Sequence, residues 1–132
     1  MNSEENYIDL DESIFFDSYA FFEILKGNKN YFKYSNFKIV TSKLNLFELY
    51  LGLLREVGEE KAQAEFDKYY NFAVDFDKDV IVSAAKLKVE LNRRDVSMTD
   101  CIGYSLANQL GIKFLTGDKE FENMDNVEFV RK

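Results

Sequence analysis

Apolar and polar positions along the chain follow two periods. Ile14-Phe15-Phe16 is a contiguous apolar run within Ser13 to Asp17, the pattern of a strand covered on both faces, and a helix follows from about Tyr19 to near Gly27. Phe37 to Thr41 reads as a second short strand. Ser42 is a good N-cap for a helix whose apolar positions Leu44, Phe47, Leu51 and Leu54 recur at helical spacing until Gly58. Glu59 to about Phe72 predicts another helix through Ala62, Phe66 and Tyr69, and Asp77 to Asn92 another through Val80, Ala84, Leu87 and Leu91. Ala73 to Asp75 lies between them with an extended pattern. Ser97-Met98-Thr99-Asp100 has the spacing of a capping box; it opens a helix to Leu110, where Gly111 supplies a left-handed exit. Ile112 to Thr116 is then a strand, and the alternation from Val127 to Val130 predicts a final edge strand. Strands separated by helices predict an α/β fold: a mostly parallel central sheet of four to five strands flanked by helices on both faces.

The chain has 132 residues, 46% of them hydrophobic and 31% charged, which places it among ordinary globular proteins rather than disordered or fibrous ones. With no proline, no Ser/Gly-rich linker and no repeat, a single domain over 1–132 is expected, residues 1–12 forming an acidic tail. That tail carries Glu4, Glu5, Asp9, Asp11 and Glu12 and no base, the reverse of a secretory signal. No apolar stretch approaches the ~20 residues that cross a bilayer. A soluble, cytoplasmic protein with no membrane partner is the expectation.

What is missing narrows the chemistry. There is no histidine and one cysteine, so a Ser-His-Asp triad, a Cys-His dyad and a multi-ligand zinc site are excluded. Cys101 has no disulfide partner within the chain and reads as a small core hydrophobe, in keeping with a reducing compartment. Any reaction has to run on carboxylates.

Seventeen basic against 24 acidic side chains leave a net charge of −7, which disfavours polyanion binding by the surface as a whole. The charge is uneven, however. Between Glu23 and Glu48 there is no acid, while Lys26, Lys29, Lys33, Lys38 and Lys43 give +5; Lys86, Lys88, Arg93 and Arg94 against Glu90 give +3. Nucleic acid can therefore engage particular patches, with Lys43, Arg93 and Arg94 as candidate RNA contacts, although for the two arginines a solvated helix end is the favoured reading. The stretch Asn28 to Lys38 interleaves Tyr31, Phe32, Tyr34 and Phe37 with lysines, a mixture suited to core packing, to a protein contact or to stacking on RNA.

In a parallel α/β sheet, ligands collect outside the carboxyl ends of the strands. Four acids fall there: Asp17 ends the first strand, Glu48 lies in the second helical turn after the second, Asp100 opens the fifth helix, and Asp118 follows the strand ending at Thr116. Converging carboxylates raise one another's pKa unless a cation neutralises them, and Mg²⁺ or Mn²⁺ prefers such hard oxygen ligands. Each acid has a structural reading as well. Asp100 fits the acidic position of its capping box, Asp118 can cap a turn over Lys119 to Phe121, Asp17 can turn the chain, and Glu48 can be a surface residue beside Gly52, a mid-helix glycine that implies a need for space.

The spacing of these residues resembles a known family. Ile14-Phe15-Phe16-Asp17-Ser18-Tyr19-Ala20-Phe21 resembles the opening of PIN-domain ribonucleases, with Tyr19 where a small residue is common, and Thr41-Ser42-Lys43-Leu44-Asn45-Leu46-Phe47-Glu48 is similar to their second motif. The segment from Ser97 to Ala107, followed by Leu110-Gly111 and then Leu115-Thr116-Gly117-Asp118-Lys119-Glu120-Phe121, is similar to their closing half. Gly103-Tyr104 replaces a usually Ala-rich stretch. The resemblance runs from about Ser13 to the C-terminus, and it is nearest to the VapC-type toxins of toxin–antitoxin pairs. It implies catalytic, metal-binding roles for Asp17, Glu48, Asp100 and Asp118, with Ser18 and Thr116 as supporting hydroxyls. The implied activity is a Mg²⁺- or Mn²⁺-dependent endoribonuclease, using one or two ions, homodimeric and silenced by an antitoxin protein. Two alternatives stand beside it, and the first is set aside. A phosphatase of the haloacid-dehalogenase type needs a second Asp two positions after the first, where this chain has Tyr19. The other is a PIN-like interaction module without activity, its acids serving only as caps.

Overall fold

A computed structural model describes residues 12–92 and 95–131. The elements in chain order are β1 (Ser13–Phe16), α1 (Ser18–Leu25), a 3-10 helix (Lys29–Asn36), β2 (Lys38–Val40), α2 (Lys43–Val57), α3 (Glu59–Tyr70), α4 (Lys78–Glu90), α5 (Met98–Leu110), β3 (Lys113–Thr116), a short 3-10 turn (Lys119–Phe121) and β4 (Val127–Phe129). The four strands form one all-parallel sheet in the order β2-β1-β3-β4. The tail at 1–11 and the pair Arg93 and Arg94 lie outside the described residues.

Alternation along β1 divides the interior in two. Ile14 and Phe16, with Leu115 of β3, pack on one face against Phe21, Leu46, Leu49, Leu53, Ala62 and Tyr69 from α1, α2 and α3. Phe15 and its β3 neighbour Phe114 pack on the other against Val80, Ala84, Leu106 and Ala107 from α4 and α5. Helices thus cover both faces, as expected of parallel strands buried on two sides. Gly103 stands where a Cβ would come within 3.1 Å of Phe15 and 3.2 Å of Phe114; the missing side chain gives these stacked rings their room, and Tyr104 meets Phe114 edge-on at 5.7 Å. The capping box of α5 is present, and Gly111 makes the left-handed exit at φ 73°. No helix among the described residues is long and apolar enough to cross a membrane.

One expectation is corrected, and two readings left open by the sequence are resolved. The buried face of α2 is Asn45, Leu46, Leu49 and Leu53; Phe47 is 66% exposed and Leu54 39%, so the stripe read from Leu44, Phe47, Leu51 and Leu54 points mostly away from the core. The need for space at Gly52 is met by Phe22, whose ring would stand 2.4 Å from an added Cβ. The aromatic and lysine-rich stretch is a 3-10 helix whose Tyr31 and Tyr34 are buried, their hydroxyls donating to Val130 O and to Glu128 Oε2, each at 2.6 Å. Phe32, Lys29 and Lys33 remain outside. Beyond the sheet, Thr41 and Ala73 form a single parallel bridge that sets the extended segment after α3 beside the end of β2.

Candidate functional site

The carboxyl edge of the sheet is built by neighbouring strand ends. Because β1 and β3 are parallel partners, with Phe16 opposite Leu115, the residues that follow each strand emerge side by side. Asp17 comes directly after β1 and Asp118 two residues after β3. Asp100 is in the first turn of α5, and Glu48 reaches the same place from the second turn of α2.

Asp17 is only 2% exposed and N-caps α1, one carboxylate oxygen accepting from the Ala20 amide at 2.8 Å. Burial pushes its pKa up to about 8, and the negative charges of Asp100 and Asp118 add to the rise. The Thr116 hydroxyl and the Ala20 amide oppose that rise but do not cancel it. Asp100 is raised too, first by burial and then by Asp118 and Glu48, against the opposing amide and hydroxyl of Ser97. All four acids are therefore within electrostatic reach of one another through Asp17 and Asp100.

A buried polar chain sets Glu48. Ser42 donates to Asn45 Oδ1 at 2.6 Å, Asn45 Nδ2 donates to Ser18 Oγ at 3.1 Å, and Ser18 Oγ donates to Glu48 Oε1 at 2.5 Å. Thr41 adds a hydroxyl bond to Phe16 O at 2.9 Å, tying the end of β2 to the last residue of β1. Asn45 is fully buried, and its role is absent from the sequence reading. The signal available was a polar residue set between Leu44 and Leu46 just inside a helix. At the other side, Thr116 Oγ1 accepts from the Asp118 amide at 3.1 Å, while the Asp118 carboxylate accepts from the Glu120 amide at 3.0 Å.

Among the described residues no group of three His, Cys, Asp or Glu side chains is gathered closely enough to hold a metal ion. Asp17 accepts from the Ala20 amide, Asp100 from the Ser97 amide and Asp118 from the Glu120 amide, each a local backbone donor, and Glu48 accepts from the Ser18 hydroxyl. Four carboxylates beside two hydroxyls are nevertheless a hard-oxygen donor set of the kind Mg²⁺ and Mn²⁺ take, so the residues fit the ion. Lys43, one of the candidate RNA contacts, is exposed and pairs with Asp75 at 3.5 Å. Cys101 is buried, and burial pushes its thiol pKa up, as suits a core residue.

This architecture is shared with proteins of known structure. VapC20 of Mycobacterium tuberculosis, a sarcin–ricin loop cleaving toxin, is 22% identical and superposes with a TM-score of 0.72 over 90% of this chain and 99% of its own. A toxin–antitoxin complex from Klebsiella pneumoniae gives 0.72 at 14% identity, over 90% and 99%. VapBC2 from Rickettsia felis, bound to a DNA fragment from its promoter, gives 0.69 at 20% identity, over 91% and 98%. At these identities the likeness establishes the fold. No curated protein matches the sequence. The model of the PIN domain family matches residues 14–127, most of the length, and the chain therefore belongs to the PIN domain family.

Proposed function

We propose that this chain is a Mg²⁺- or Mn²⁺-dependent endoribonuclease, the toxin of a toxin–antitoxin pair, with Asp17, Glu48, Asp100 and Asp118 as its metal-binding acids. The observation that carries the reading is the placement of Asp17. A cap needs an accepting oxygen at a helix end, which an exposed side chain supplies at less cost; a carboxylate 2% exposed and within reach of two others is unfavourable until a cation offsets it. This weighs against the reading of the acids as caps in an inactive interaction module. The toxins and toxin–antitoxin complexes among the similar structures support the choice of RNA as substrate and of an antitoxin as partner. A homodimer, with RNA held partly by Lys43, Arg93 and Arg94, completes the proposal.

One or two such ions, when bound, supply positive charge that polarises a phosphate and makes water a better nucleophile. The chain's own residues do the positioning. Asp17 is fixed at its backbone by the sheet, its amide bonded to Leu115 O at 3.3 Å, and the Thr116 hydroxyl holds its carboxylate. Ser18 orients Glu48, and the capping box orients Asp100. Hydrolysis joins water to phosphorus as the bond to the 3′-oxygen breaks, leaving a 5′-phosphate and a 3′-hydroxyl. No step needs a histidine.

The test is direct. The purified chain, freed of any partner, should cut tRNA or rRNA with Mg²⁺ or Mn²⁺ and not with EDTA, and RNA left intact under all these conditions would refute the proposal.

A further inference from the structure

Beside the acids, α1 and α2 leave a cleft of about 220 Å³ lined by Tyr19, Phe22, Glu23, Lys26, Gly52 and Glu56. Tyr19 links it to the candidate site. Tyr19 directly follows Ser18, whose hydroxyl holds Glu48, and its ring lies on the backbone of Gly117, where an added Cβ would stand 2.4 Å from Tyr19 Cε1. Gly117 in turn precedes Asp118. The half-buried Tyr19 thus lies at the Asp118 edge of the site, close enough for its phenol to feel the charges of Glu23, Asp17 and Asp118. Further along the cleft, Phe22 occupies the space that Gly52 leaves on α2.

The chemistry of this lining selects its occupant. Glu23 and Glu56 make it unwelcoming to a phosphate, and the one cation, Lys26, already faces Glu23 at 3.8 Å. Two aromatic rings in a cleft without net positive charge suit a flat, uncharged group. Base–aromatic stacking is tolerant of sequence because every base has a π-face. On the ribonuclease reading, on which this rests, we propose that the α1–α2 cleft is a nucleobase subsite, in which Tyr19 and Phe22 stack an unpaired base next to the phosphodiester held at the acids.

Tyr19→Leu tests it, because leucine still covers Gly117 yet cannot stack. With Mn²⁺ and tRNA, Tyr19→Leu should raise KM roughly 10-fold with kcat little changed, and Tyr19→Phe, which keeps the ring, should raise it far less. The rise in melting temperature on adding Mn²⁺ should be the same in all three proteins. In an Asp100→Asn background that does not cut, a single-stranded oligoribonucleotide carrying 2-aminopurine should lose fluorescence on binding when Tyr19 is present and keep it with Tyr19→Leu. An unchanged KM and unchanged quenching in Tyr19→Leu, from a chain that does cut RNA, would overturn the subsite alone. A chain that cuts no RNA would overturn the ribonuclease reading and the subsite with it.

Discussion

Ser18 Oγ and Glu48 Oε1 are 2.5 Å apart, joining residues 30 positions distant across the first turn of α1 and the second of α2. Without that bond, nothing would distinguish Glu48 from Glu56, the other glutamate of α2. With it, and with Asn45 bonded to the same hydroxyl at 3.1 Å, the carboxylate is held at the carboxyl edge of the sheet beside Asp100.

Removing the hydroxyl should release Glu48 while leaving the fold in place. Ser18→Ala leaves a buried Asn45 donor without its acceptor and should cost about 1–2 kcal/mol of stability. It should also lower RNA cleavage roughly 10-fold, since a misplaced ligand weakens ion binding more than it disturbs packing. Chemical denaturation and a cleavage assay on the same preparation check both, and wild-type activity in Ser18→Ala would show that Glu48 needs no positioning.

The pH dependence of the metal-free chain follows from Asp17 and Asp100, both raised. A carboxyl group whose pKa is higher in the folded state contributes stability that is fully present below its unfolded value, near 3.8, and is lost as pH rises through the folded value. For Asp17 that window runs from about 4 to about 8. With EDTA present, stability should therefore fall across this range. Asp17→Asn keeps a good N-cap and removes the charge, so it should melt higher than wild type at pH 8 by at least about 1 kcal/mol, roughly 4 °C in a domain of this length. It should at the same time lower cleavage by about 100-fold or more. Melting curves at pH 5 and pH 8 decide the point; a destabilised Asp17→Asn at pH 8 would show that the buried charge is already compensated.

Much of this arrangement was legible in the chain. The contiguous apolar run of β1 announced a strand covered on both faces, and Ser97 to Asp100 announced the capping box that the structure contains. The order of the acids relative to the strands then placed them at one sheet edge. What escaped was whatever depends on partners distant in sequence. The face of α2 could not be chosen from its apolar residues alone, because leucines and a phenylalanine ring it on nearly every side and only contact with α1, α3 and β1 buries one arc. The 3-10 helix has no apolar period of its own and is held by Tyr31 and Tyr34 reaching β4 and the residue after it. The burial of Asn45 shows only when Ser18 and Ser42 stand beside it.

Gly117 is a position where even one methyl group should be costly. A Cβ there would lie 2.6 Å from both Tyr31 Oη and the Val130 carbonyl oxygen and 2.4 Å from Tyr19, and the Val130 backbone is held to Thr116 at 2.9 Å. Gly117→Ala should destabilise by about 1–3 kcal/mol and, by displacing Asp118, reduce cleavage more than Ser18→Ala does. Gly58→Ala, far from the acids and with open space around it, serves as a control for backbone effects, since its φ of 88° strains the chain without touching the site. Equal activity losses in the two variants would mean that Gly117 acts through stability alone.

A divalent-cation site at Asp17, Glu48, Asp100 and Asp118 is tested most directly by the melting temperature of the partner-free chain at pH 8 as Mn²⁺ replaces EDTA. Binding should stabilise the fold by about 2.7 kcal/mol at 100-fold excess over Kd, and the gain should vanish in Asp17→Asn and Asp100→Asn, both still folded. A wild-type melting temperature that does not move with Mn²⁺, or one that rises equally in the variants, would contradict a metal site at these acids.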